Sequence, residues 1–140
     1  MDRIEVLFEP AQIGALHLCN RIAMAPMTRG MSPGGIPGDN VAAYCRRRAE
    51  GGVGLIMTEG TWVPRPSASN QAAAPRFYGE DALANWQKAM DEVHAAGGRI
   101  MAQLAHVGQM IKPPSSHGAD AAHCFGPSGM VGARTTEKAA

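Results

Sequence analysis

Residues 21–29 read Arg-Ile-Ala-Met-Ala-Pro-Met-Thr-Arg. The apolar run Ile22 to Ala25 reads as a β-strand. It stops at Pro26, which has no N–H to continue a ladder. A hydroxyl, Thr28, and a cation, Arg29, follow at once. Two further runs end the same way: Leu55-Ile56-Met57 leads into Thr58-Glu59-Gly60-Thr61, and Ile100-Met101-Ala102 leads into Gln103 and His106. Polar groups collected at the carboxyl ends of successive buried strands are what a ligand site on a parallel α/β sheet requires.

Outward from these strands, the pattern alternates. Asp39 or Asn40 is placed to cap a helix running to about Glu50, with Val41, Tyr44, Cys45 and Arg48 at helical spacing. Gly51-Gly52 stops it, and a strand covers about 53–59. After a proline-bearing loop, 61–80, a second helix begins near Asp81, with Leu83, Trp86, Met90 and Val93 as its apolar stripe. Gly97-Gly98 closes that helix, and a strand from Arg99 to Leu104 follows. The order β-α-β-α-β with short returns predicts parallel strands joined by crossovers. Residues 1–20 read as a short hairpin or irregular cap. Residues 107–140 read as a long loop and tail, rich in Gly, Pro and Ser. The whole is read as one amino-terminal segment of 140 residues. Three strands cannot close a barrel, which takes eight strands and typically ~250 residues. As an open sheet, the first and third strands would each carry an unpaired edge.

The net charge of +1 gives no electrostatic case for nucleic acid or a membrane surface. No apolar run approaches the ~20 residues that span a bilayer, and no signal peptide is visible. Cys19, Cys45 and Cys124 form no CxxC pair, which points to reduced thiols, a cytoplasmic location and no zinc site. His117 and His123 lack ligand partners at metal spacing. Gly51-Gly52-Val53-Gly54 closes a helix and opens a strand, the reverse of the dinucleotide fingerprint. The methionines read as core filler, Trp86 as helix packing, Arg46-Arg47-Arg48 as a solvated face, and Glu59 as structural, with contact to a cofactor region as its alternative.

The chain resembles the old yellow enzyme family of FMN-dependent NADH:flavin oxidoreductases. The likeness runs from Leu7-Phe8 and Pro10 through Asn20-Arg21-Ile22, Ala25-Pro26-Met27-Thr28-Arg29 and Thr58-Glu59-Gly60-Thr61. It continues through His94-Ala95-Ala96-Gly97-Gly98-Arg99-Ile100 to Gln103-Leu104-Ala105-His106-Val107-Gly108 and Gly126-Pro127-Ser128. Gln109 departs from it, standing where relatives often carry Arg. The resemblance implies a flavoprotein oxidoreductase with an eight-stranded TIM barrel, of which this chain supplies strands one to three, as a truncated segment. It implies that NAD(P)H is the reductant and that a small activated alkene is the substrate, as in ene-reductases.

On the same resemblance, Ala25, Pro26 and Met27 lie against the isoalloxazine, Thr28 hydrogen-bonds near flavin O4, Gly60 brings backbone to that edge, and Gln103 pairs with the pyrimidine end. Neither a catalytic acid nor a metal ligand is read in these residues, and the isolated chain is expected to be inactive. A chain completing the barrel, or a homo-oligomer, is the implied partner. The alternative is a non-catalytic barrel fragment or relic that associates through its open sheet edges.

Overall fold

Pro26 and the glycine pairs leave the chain a short first strand, two long ones and two helices. The structure, a computed structural model, describes residues 4–110. His117, His123, Cys124, the Gly126-Pro127-Ser128 match and most of the expected tail lie outside the described residues.

The amino-terminal cap is a hairpin. Strands β1 (Ala11–Ile13) and β2 (Leu16–Leu18) pair antiparallel, with Ile13 opposite Leu16. Strands β3 (Ala23–Met24), β4 (Leu55–Trp62) and β5 (Arg99–Ala105) form a parallel sheet in that order. Helices α1 (Asp39–Glu50) and α2 (Glu80–Ala95) make the crossovers. Met24, Ile56 and Ile100 stand side by side in register across the sheet. The same three residues pack with Cys45, Ala49 and Val93, so both helices cover one face. Successive strand residues point to opposite faces, and Ala23 and Met101 are exposed on the other. β3 and β5 each keep one unpaired edge among the described residues.

Both helices end where the glycine pairs stand, with Gly52 at φ +90° and Gly97 at φ +82°, values that glycine adopts without a steric cost. Their starts and stripes depart from the sequence expectation. The residue preceding α1 is Gly38, with Asp39 already helical and no side-chain cap bond. Asn40 instead donates to the Met31 carbonyl at 3.0 Å. In α2 the buried positions are Ala82, Trp86, Ala89 and Val93, while Leu83 is 43% exposed. The seam against α1 takes small residues so that the two helices approach closely. Lys88 Nζ also bridges to Asp39 Oδ1 at 2.7 Å, and that hydrogen bond holds the Asp39 carboxyl below its usual range.

β4 is longer than the sequence pattern suggested and contains Gly60 and Thr61. Between Met57↔Met101 and Gly60↔Gln103 it advances three residues against two on β5, so one extra residue bulges out at Thr58-Glu59. Two buried threonines frame this irregularity. Thr58 Oγ1 accepts the Gln103 N–H at 3.1 Å, and Thr61 Oγ1 donates to the Gln103 carbonyl at 2.9 Å.

Candidate functional site

The main chain of Gln103 is thus clamped from both sides, while its side chain is exposed at the carboxyl end of β5. Gly60 is its register partner on β4. A Cβ built on Gly60 would lie 3.7 Å from Gln103 Oε1. Thr28, four residues beyond the end of β3, lines a hollow of about 130 Å³ together with Gly60. Thr28 and Gly60 therefore share one rim near the carboxyl ends of the sheet strands, and Gln103 adjoins Gly60 there from the neighbouring strand. Ala25 and Met27 are exposed and Pro26 half-buried in the segment leaving β3; none of the three lines this hollow, and Met27 borders a second one on the helix side, with Tyr44 and Trp86.

The far wall of the hollow comes from a loop. Ala68, Ser69, Asn70, Gln71 and Ala74 face Thr28 and Gly60 across it. This loop is folded back onto the sheet rather than free. Trp62 Nε1 donates to the Ala74 carbonyl at 2.6 Å, the Trp62 N–H to Pro75 O at 3.0 Å, and the Val107 N–H to Ala68 O at 3.1 Å. His106 adds a further tie. Its Nδ1 accepts the Gly108 N–H at 2.9 Å, which leaves Nε2 as the protonated nitrogen, 3.3 Å from Ser67 Oγ. None of these loop contacts was legible from local pattern.

Behind the rim, on the helix side, the buried Glu59 pairs with the partly buried Arg29, with Nε–Oε1 at 3.6 Å. The Arg29 guanidinium carbon lies 3.8 Å from the Tyr44 ring centroid, and that of Arg48 lies 3.3 Å from it. Two planar groups cannot share one ring face at those distances, so they take opposite faces. Cys45 adjoins this cluster. Burial pushes its thiol up from the ordinary range, against the opposing pull of Arg29 and Arg48. It therefore stays protonated and unreactive at neutral pH. Iodoacetamide is expected to label exposed Cys19 in the native chain and Cys45 only after denaturation. Equal labelling of both in the native state would show that the cluster is open.

Comparison with known proteins follows the same lines. The sequence profile of the NADH:flavin oxidoreductase / NADH oxidase family matches residues 6–138. The chain belongs to this family. It is 36% identical over 132 residues to 12-oxophytodienoate reductase 7 of Oryza sativa subsp. japonica, covering 94% of this chain and 30% of that protein. Among solved structures, morphinone reductase in complex with tetrahydroNAD superposes with a TM-score of 0.69 at 39% identity, covering 76% of this chain and 30% of that one. Old Yellow Enzyme from Pichia sp. AKU4542 superposes at 0.72 with 31% identity, covering 77% and 28%. The chain spans about 30% of the length of the curated relative it matches over most of its own length. Its three-stranded parallel sheet corresponds to the start of the TIM barrel in these old yellow enzyme neighbours, without a closed barrel among the described residues. No helix among the described residues is long and apolar enough to cross a membrane.

Proposed function

We propose that this chain, as a single unit over residues 1–140, supplies the first part of the FMN cradle of an NAD(P)H-dependent oxidoreductase acting on activated alkenes. The observation that carries the reading is that Thr28 and Gly60 share one hollow, with Gln103 beside Gly60 on the next strand. The donor set suits the cofactor. Thr28 offers a hydroxyl, Gln103 an amide with both donor and acceptor, and the side-chain-free Gly60 leaves space between them. At about 130 Å³ the hollow is smaller than the roughly 300 Å³ of a pocket enclosing a whole ligand. It suits one edge of a planar ring, and Ala25, Pro26 and Met27, in the segment that leads to Thr28, are proposed to lie against that ring. The exposed Met27 offers apolar surface to such a ring.

When bound, FMN supplies hydride transfer between a nicotinamide and the alkene. The work of these residues is to hold and polarise. A hydroxyl donated by Thr28 to the pyrimidine edge stabilises negative charge there, and Gln103, its backbone pinned by Thr58 and Thr61, fixes the orientation. The likeness to a reductase solved with tetrahydroNAD supports a nicotinamide as the reductant. Alone, the chain is proposed to bind FMN weakly and to turn over no substrate.

Titration of FMN with the purified chain tests the reading. Saturable loss of flavin fluorescence is expected. A colourless, self-associating sample without any quench would instead favour a non-catalytic fragment joined through the open edges of β3 and β5. Steady NAD(P)H oxidation by the pure chain would overturn the claim that it is inactive alone. In a protein with the barrel complete, Thr28→Ala is expected to lower the flavin potential by about 30–60 mV, the equivalent of one hydrogen bond to a charged group. An unchanged potential would refute the role given to Thr28.

A further inference from the structure

Thr28 is exposed on the rim, and it sits on a segment with no ladder to hold it, since β3 ends at Met24. The next two residues are held by one side chain. The N–H groups of Arg29 and Gly30 both donate to Glu59 Oε2, at 2.8 and 3.2 Å. Gly30 has φ +62°, and consecutive N–H groups turned inward in this way form a concavity that binds an anion.

Glu59 can fill it because of the bulge. In an unbroken strand its side chain would alternate with Thr58 across the sheet. With the extra residue, Thr58 and Glu59 are both buried, at 3% and 5% exposure. Glu59 lines a small hollow with Tyr44 and Cys45 of α1 and Trp86 of α2. The bulge thus sends the carboxylate toward the helices and the β3 loop, and leaves Gly60 on the rim.

The arrangement is poor as a device for stability alone. The Arg29–Glu59 separation of 3.6 Å is long for a hydrogen bond. Arg29 Nη2 and Glu59 Oε1 are buried without a hydrogen-bond partner among the described residues. Buried ion pairs of imperfect geometry are weak stabilisers, whereas their polar groups can fix one conformation among several.

We propose that Glu59 is a positioning residue that seats Thr28 at the rim through the backbone of Arg29 and Gly30, and so sets how tightly the chain holds FMN. This rests on the FMN reading above. Arg29 is kept beside the carboxylate by its stacking on Tyr44, which Arg48 braces from the other face.

The test is a double-mutant cycle on the 140-residue chain, reading FMN dissociation constants by fluorescence, with amide hydrogen exchange on the ligand-free chain alongside. Thr28→Ala is expected to weaken FMN binding about tenfold in the parent. In the Glu59→Gln background, where a neutral acceptor replaces the charged one, the same change is expected to cost less than about threefold. Glu59→Gln should also speed exchange of the Arg29 and Gly30 amides about tenfold, while amides of β4 and β5 keep their protection. Glu59→Leu, with no acceptor, should exceed Glu59→Gln in both readouts. An additive cycle, unchanged exchange at 29 and 30, or a Glu59→Leu chain that binds FMN like the parent would overturn the inference while leaving the FMN reading intact. If the parent chain takes up no FMN at all, the cofactor reading falls and this role falls with it.

Discussion

Gly60→Val is expected to abolish measurable FMN binding, raising the dissociation constant by about 100-fold or more, while leaving the chain folded. The two halves of that expectation have separate causes. Gly60 does not have a positive φ, and valine suits a strand, so the backbone accepts the change. A Cβ there would meet Ala105 Cβ at 3.3 Å and Gln103 Oε1 at 3.7 Å. The exposed Gln103 end can swing aside, and the Ala105 Cβ, fixed to its backbone, needs β5 to shift by only a few tenths of an ångström. The added methyls instead occupy the rim between Thr28 and Gln103, where the ring edge is proposed to lie. An overlap the site cannot relieve costs about 3 kcal/mol, roughly 100-fold in affinity. Gly60→Ala should fall between the two. The measurements are FMN titration and thermal unfolding of the same samples. A valine variant that binds FMN as the parent does would show that this rim is not the cofactor site.

The skeleton of the fold was legible because local chemistry decides it. Pro26 ends a strand whatever surrounds it, and Gly51-Gly52 and Gly97-Gly98 end helices by supplying turn conformations. The rim was legible in part. Strand ends carrying Thr28, Gly60 and Gln103 could be aligned from pattern, yet the roles proposed for them came from the family likeness. Where the reading failed, contacts distant in sequence decide the outcome. The bulge at Thr58-Glu59 depends on hydroxyls that bond to a residue more than 40 positions away. The stripe of α2 was assigned to Leu83 by hydropathy, but the packed seam selects Ala82 and Ala89 by size. Arg48 over Tyr44 is an i,i+4 pair any helix would suggest, whereas Arg29 on the opposite face arrives from another loop and has no signal in either segment.

The largest stability effect is expected at Trp86, and it reaches the rim. Its side chain is 2% exposed and packs with Val41, Ala42 and Ala89. The Phe77 ring lies beside it, with centroids 6.1 Å apart. Its indole N–H donates to the Arg76 carbonyl at 3.0 Å. Trp86→Ala removes the ring from the seam between the helices and leaves that carbonyl unpaired, a loss of about 3–5 kcal/mol. Domains of this size hold only about 5–15 kcal/mol in total, so a large share of the native state is at stake. Trp86→Phe keeps most of the buried surface and loses the hydrogen bond, for about 1–2 kcal/mol. Urea unfolding followed by circular dichroism measures both, with an unchanged slope required for the comparison. Arg76 closes the loop that forms the far wall of the hollow, through its own N–H to Gly35 O at 2.8 Å and through Nη2, which donates to both Asp81 carboxylate oxygens at 2.7 and 2.8 Å. Freeing its carbonyl from Trp86 loosens that loop at its base. Trp86→Phe should therefore weaken FMN binding beyond what its modest stability loss predicts. An affinity unchanged in Trp86→Phe would mean that the other ties of the loop, among them those to Trp62 and Val107, hold it without the Trp86 bond.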